Sequence, residues 1–175
     1  MKNIFYIFIV ILLFSGCAKK GYQLTEDEKL ANKISHQVAA QLKRDLDLYP
    51  FGTSGRIPDK IKVLGLAFLY YKPIDISEGR SLLISAVQHF IDEINACEPI
   101  RKYLEQYPFQ PENVEIEIYI HNSDYSKIPP GKLNVISYSH GFLKYKIDDP
   151  KNEYRLKTIH KETYEEAIKA LVGSS

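Results

Sequence analysis

Histidine has the widest chemical repertoire of the residues in this 175-residue chain, and it occurs five times. No two histidines are four positions apart, the spacing that places two imidazoles on one helix face for a metal ion. They are His36, His89, His121, His140 and His160. In Ser139-His140-Gly141 a hydroxyl adjoins an imidazole, but catalytic triads are assembled by three-dimensional geometry and not by adjacency. Local spacing therefore predicts no metal site, no cofactor and no catalytic residue.

Two glutamates, Glu115 and Glu117, share one face of a predicted strand because they are two positions apart. Such a pair performs acid–base chemistry when its surroundings separate the two pKa values. The sequence indicates no apolar pocket for this purpose. Later predicted strands carry cations at matching positions, namely Lys144, Lys146, Arg155 and Lys157. We therefore predict cross-strand charge pairing on a solvated sheet face.

The segment Gly52-Thr53-Ser54-Gly55-Arg56 is rich in glycine and hydroxyl groups. Backbone amides of such a segment can surround an anion. The segment lacks the Gly-Lys-Ser/Thr ending of a phosphate-binding loop, and no strand is predicted directly before it. Its composition predicts a flexible loop.

The first seventeen residues contain the most specific motif of the chain. Met1-Lys2 is followed by an uncharged apolar run over residues 4–14 and then by Ser15-Gly16-Cys17. The apolar run is much shorter than the roughly 20 residues of a membrane-spanning helix, so the pattern is typical of a secretory signal peptide. Leu13-Phe14-Ser15-Gly16-Cys17 resembles the lipobox of bacterial lipoproteins.

The lipobox resemblance implies a cellular location and a lipid anchor. In that family residues 1–16 would be removed, Cys17 would carry a diacylglycerol on its sulfur, and the new amino terminus would receive a fatty acid such as palmitate. Residues 17–24 then form the lipidated start and a short tether. The protein is expected on the exported side of the cell membrane or the outer membrane. Ala18 favours the outer membrane, because enteric lipoproteins that stay in the inner membrane have Asp at that position.

The second cysteine, Cys97, loses its only intrachain partner for a disulfide if Cys17 is lipidated. Cys97 continues a helical stripe of apolar residues made by Leu83, Val87, Phe90 and Ile94. This position predicts a small apolar core residue. A reactive thiol and an intermolecular disulfide are the alternatives.

The charge balance limits the class of partner. Lys2 is the only charged residue of the signal segment, so the 23 basic and 22 acidic residues become 22 of each in the processed chain. A neutral chain without a dense Lys/Arg cluster lacks the electrostatic surface that binding to a phosphate backbone requires. We predict no nucleic-acid partner.

Hydrophobic periodicity predicts a single α+β domain over residues 25–175. Capping boxes at Thr25 and Thr163 begin the first and last predicted helices, and a third helix follows Ser77. Strands are predicted over 61–71, 114–121, 133–139, 142–147 and 154–160. The expected order is α-β-α-β-β-β-β-α, with three main helices packed on a mostly antiparallel sheet of about five strands.

The function expected from these features is that of a non-enzymatic interaction module near the membrane. Thirteen tyrosines and no tryptophan add contact potential, because tyrosine combines area with a polar tip. The expected partners are the membrane, through the lipid anchor, and another envelope protein or a polymer. One alternative is an envelope hydrolase that joins distant groups, for instance His140 or His121 with Asp124 or Asp149. Another is a small-ligand or lipid carrier with an apolar cavity beneath the sheet.

Overall fold

The structure, a computed structural model, describes residues 23–173 apart from the side chains of 153 and 154. The predicted signal segment and Cys17 lie outside the described residues. The helices and strands, in chain order, are α1 (Glu26–Leu46), β1 (Tyr49–Arg56), β2 (Val63–Tyr70), α2 (Ile76–Ala96), β3 (Val114–Ile120), β4 (Val135–Ser139), β5 (Phe142–Asp149), β6 (Asn152–Thr163) and α3 (Tyr164–Val172). Two short 3-10 helices, Glu98–Tyr103 and Pro111–Asn113, lie between α2 and β3.

The sheet has six strands in the order β1-β2-β3-β4-β5-β6, and it is mixed. β2 and β3 pair in parallel, and each of the other neighbouring strands is antiparallel. The parallel pair arises because α2 carries the chain back to the end of the sheet at which β2 began. The α+β class is therefore confirmed. The predicted order is one strand short, and the description of the sheet as mostly antiparallel is corrected to mixed.

The strand missing from the predicted order is β1, which includes the segment 52–56 predicted as a loop. Every residue of β1 is exposed, and Pro50, Gly52 and Gly55 interrupt any strand-like pattern in its sequence. Its hydrogen bonds come from pairing with β2, with a bulge between Pro50 and Gly52. The prediction of a loop was wrong because an edge strand needs neither a buried face nor strong β-propensity when its neighbour supplies the ladder.

The three helices form one layer against one face of the sheet. α1 contacts α2, and α2 contacts α3. Alternate residues of β3 face the helix layer. The buried ones are Val114, Ile116, Ile118 and Ile120, and the residues between them are half-buried on the opposite side of the sheet. One hydrophobic cluster joins the helices to the sheet, with Phe68 and Phe90 among its fully buried members. Among residues 23–173 no helix covers the other face of the sheet.

The helix ends follow local signals closely. The predicted capping boxes of Thr25 with Glu28 and of Thr163 with Glu166 are both formed. α2 begins two residues earlier than predicted, because Asp75 rather than Ser77 accepts the hydrogen bond from the backbone of Glu78.

Cys97 lies at the C-terminal cap of α2, half-buried against the hydrophobic core. Among the described residues it has no disulfide partner. The predicted packing role is right in kind, but the residue closes the helix rather than continuing its fully buried stripe.

Candidate functional site

The helix-free side of the sheet, here called the open face, carries the candidate site. A shallow cleft of about 490 Å³ lies on this face. Its floor is a row of residues that lie directly opposite one another on successive strands: Gly52, Ala67, Glu117, Ser137, Lys144 and Lys161. The cleft reaches from β1 to β5, and Lys161 extends the row onto β6. The row thus places a carboxylate, a hydroxyl and two ammonium groups in sequence across four strands.

The acidic part of the open face lies on β3. Glu115 Oε1 is 3.5 Å from Arg56 Nη2 and 3.8 Å from His140 Nδ1. Glu117 accepts a 2.8 Å hydrogen bond from the Tyr119 hydroxyl. Burial raises the pKa of Tyr119, and the hydrogen bond to Glu117 raises it further, so the phenol remains a donor at neutral pH.

The contact between Arg56 and Glu115 crosses β2, and a glycine makes it possible. Gly65 lies between β1 and β3 on the open face, opposite Ser54 on one side and Glu115 on the other. A Cβ atom at Gly65 would lie 2.2 Å from Ser54 Oγ and 3.5 Å from Glu115 Cβ. The absence of a side chain there leaves the space through which Arg56 reaches the carboxylate.

The basic part of the open face lies on β5 and β6. Lys144 and Lys161 are directly opposite each other. Lys161 Nζ lies 3.7 Å from the centroid of the Phe142 ring, a cation–π contact. Lys146 Nζ is 3.9 Å from Glu117 Oε1. Among the described side chains, neither Lys144 nor Lys161 has a carboxylate within ion-pair distance.

Aromatic side chains line the end of the open face where β1 begins and β2 and β3 end. The ring of Phe51, which is 64% exposed, meets Tyr119 edge-on at 5.7 Å between centroids. Tyr71 meets Tyr49 at 5.2 Å and Tyr125 at 4.7 Å. This set of exposed rings is an apolar margin beside the charged row. The abundance of tyrosine in the sequence suggested contact potential, but the contribution of Phe51 depends on β1, which the sequence did not predict.

The predicted charge pairing is only partly formed. Glu117 faces Lys146, as predicted, but Glu115 faces Arg56 and His140 instead of a later strand. Lys157 lies opposite Ile147, on the helix-covered side of the ladder, because a bulge in β6 changes the alternation. Its assignment to the open face is therefore corrected. Within the described part of the chain Arg155 has no ion pair either.

The histidine and aspartate residues named for a hydrolase do not converge. His140 lies beside Glu115, while the Asp124 carboxylate accepts hydrogen bonds from Ser126 and the Asp149 carboxylate accepts one from the backbone of Lys151. His121 packs against Tyr71, with 5.9 Å between ring centroids. The residue that joins His140 is thus a glutamate on a neighbouring strand. The two-residue alternation of β3 predicted Glu115 on this face, but it did not indicate the contact of Glu115 with His140 in the turn between β4 and β5.

A second polar cluster is buried between α2 and the far edge of the sheet. Arg80 Nε donates to both oxygens of Glu162, at 2.9 and 3.1 Å, and the Tyr145 hydroxyl donates to Glu162 Oε1 at 2.5 Å. His160 Nε2 is 3.6 Å from Glu162 Oε2 and has no hydrogen-bond partner. Glu162 is 8% exposed and Arg80 15%, so the cluster is closed to a substrate and has a structural role. Sequence reasoning missed it because Arg80 and Glu162 look like ordinary surface charges.

Burial by itself would raise the pKa of Glu162. The hydrogen bonds from Arg80 and Tyr145 and the charge of Arg80 outweigh burial, and the pKa of this carboxyl lies below its ordinary value. Glu162 is therefore ionised at neutral pH. The guanidinium balances its charge inside the protein.

Across residues 23–173, no three His, Cys, Asp or Glu side chains gather in a group that would hold a metal ion. Within the same residues, none of the helices combines the length and the apolar character needed to cross a bilayer.

No family model matches the sequence, and no curated protein and no solved structure is significantly similar to it.

Proposed function

We propose that this protein is a lipid-anchored binding protein of the bacterial cell envelope and that its open face is the binding surface. The observation that carries the proposal is the cleft on the helix-free side of a sheet whose other side is fully packed. The hydrophobic core lies between the sheet and the helices, so the charged and aromatic groups of the open face are not part of it. These groups therefore provide a surface for a partner.

The composition of the open face supports recognition of a polar partner with an apolar part. Binding surfaces combine aromatic contact area with a small number of placed polar groups. Phe51 supplies exposed ring area, and Glu117, Ser137 and Lys144 supply an acceptor, a hydroxyl and a donor in one line.

The proposed anchor would keep the open face close to a membrane. Leu24, near the start of the described chain, lies beside Thr53, Gly55 and Ile57 at the β1 edge. If Cys17 is acylated, the seven residues 18–24 span at most about 25 Å. The β1 edge of the cleft would then lie near the leaflet, where even a weak contact with an envelope protein or polymer benefits from a high local concentration.

Site-specific photocrosslinking in cells tests the proposed surface. A photoreactive residue in place of Ser54, which is exposed, lines the cleft and lies opposite Gly65 on the open face, is expected to give a discrete covalent adduct. The same residue in place of His36, exposed on the outer side of α1, is the matched control and is expected to give none. Adducts of equal yield at both positions, or no adduct at Ser54, would contradict the proposal.

A further inference from the structure

The separation of charges on the open face is the feature that specifies a ligand. Glu117 on β3 is two strands from Lys144 on β5 and three strands from Lys161 on β6. Adjacent strands are about 4.8 Å apart, so the backbone position of Glu117 is roughly 10 Å from that of Lys144 and roughly 14 Å from that of Lys161 along the row. Opposite charges at a fixed distance match a ligand that itself carries one charge of each sign.

The two lysines at the basic end require an anion. Like charges directly opposite each other on adjacent strands destabilise a sheet. Lys144 and Lys161 are in this arrangement, and no described carboxylate compensates either of them. The contact of Lys161 with the Phe142 ring keeps its ammonium on the open face. An anionic group bound between the two lysines would remove their repulsion.

The glutamates at the acidic end of the row argue against a polyanionic ligand. A polymer with a negative charge on every unit would meet Glu115 and Glu117 as it crossed β3. The contacts of these carboxylates with Arg56, His140 and Lys146 are 3.5–3.9 Å long. Direct hydrogen bonds between charged groups are about 2.7–2.9 Å long. Glu117 Oε2 accepts the hydrogen bond from Tyr119, so Glu117 Oε1 and the oxygens of Glu115 retain acceptor positions for a ligand ammonium.

The length of the row matches a short extended peptide. Extended chains advance about 3.3 Å per residue, so a tetrapeptide places its termini about 13 Å apart. We infer that the cleft binds a short extended peptide with two charged ends, its amino group over Glu115 and Glu117 and its carboxylate over Lys144 and Lys161. The hydroxyl of Ser137 lies beneath the middle of the peptide, and Phe51, which packs against Tyr119, lies beside its amino end. This inference rests on the proposed function, because it names the ligand of the same open face.

Peptides with and without charged ends test the inference. Tetra-alanine with free termini is titrated into the isotopically labelled, acylated protein in detergent micelles and observed by NMR. We expect shifts at Ser137 and Lys144. Acetylation of the amino end or amidation of the carboxyl end is expected to weaken binding by about fivefold each, the upper range for an exposed ion pair.

A pair of lysine variants supplies the matched control. Lys144→Gln combined with Lys161→Gln is expected to abolish the preference for the free carboxylate, so that amidated and free peptides bind equally. Lys157→Gln, on the other side of the same two-strand ladder, is expected to leave the preference unchanged.

Two outcomes would overturn the peptide assignment: no binding of free tetra-alanine, or equal binding of a peptide capped at both ends. If the Ser54 crosslink persists in that case, the open face remains the binding surface and only the ligand class is wrong. Failure of both experiments would reject the proposed function as well.

Discussion

Replacing Cys17 with serine is expected to abolish fatty acylation and to leave residues 1–16 attached. The lipobox resemblance assigns the diacylglycerol to the sulfur of this residue, and a hydroxyl does not substitute for the thiolate as nucleophile. Metabolic labelling with a palmitate analogue, together with the intact mass, measures both effects. Cys97→Ser is the matched control, and it is expected to be labelled and processed like the unaltered chain. Equal labelling of the two variants would contradict the proposed anchor.

The strength of the anchor has its own test. Each buried methylene contributes about 0.8 kcal/mol, so two acyl chains hold a protein on a bilayer stably, whereas one chain does so only marginally. A chain with an ordinary cleavable leader placed before Ala18 carries no acyl group. We expect it to fractionate away from membranes. Membrane retention of this chain would show that another part of the protein provides the attachment.

Elements with a buried face could be predicted from the sequence, because burial leaves a local pattern. The two-residue period of β3 alternates between Val114 at the core and Glu115 on the open face, and the predicted strand exceeds the observed one by a single residue, His121. The capping boxes at Thr25 and Thr163 are similarly local, since each needs only residues three positions apart. These signals were sufficient for the α+β class.

The element that the sequence did not predict depends on a distant partner. β1 has no buried residue, and its extended shape comes from hydrogen bonds to β2. Without β1 the predicted sheet lacked an edge strand, and Phe51 and Arg56 had no defined place on the open face. A strand with this composition becomes predictable only when its neighbour in the sheet is known.

Only part of the candidate site could be predicted from the sequence, for the same reason. The two-residue alternation of the strands predicted Glu117 and Lys146 on one face of the sheet. In the structure Lys146 Nζ lies 3.9 Å from Glu117 Oε1. The contact of Glu115 with Arg56 depends on the order of β1, β2 and β3 and on the missing side chain at Gly65. No spacing along the chain encodes that combination.

Breaking the buried ion pair is expected to have the largest effect on stability. Arg80→Met leaves the Glu162 carboxylate buried without its main cation, and removing one partner of a buried pair typically costs about 3–5 kcal/mol. Urea unfolding followed by circular dichroism measures the change in free energy. Lys62→Gln, which removes the exposed pair with Glu105, is the control and is expected to change the stability little.

The pH dependence of stability follows from the lowered pKa of Glu162 in the folded state. A carboxyl with a depressed folded pKa contributes stability that is fully present above its unfolded pKa of about 4.3, and this contribution is lost as the pH falls through the folded value. The unaltered protein is therefore expected to lose stability below about pH 4.3 more steeply than Glu162→Gln. Parallel slopes for the two proteins in this range would contradict the assigned ionisation.

A triple variant separates the effect of breaking the cluster from the net contribution of the cluster. Arg80→Met, Glu162→Leu and Tyr145→Phe together remove both charges and the hydroxyl that donates to Glu162. Replacing a whole buried ionic group with apolar residues of similar volume is often neutral or stabilising, because no charge remains to be desolvated. We expect the triple variant to recover most of the stability lost in Arg80→Met. If it remains as unstable as the single variant, side-chain packing around α2, and not an unpaired charge, explains the loss.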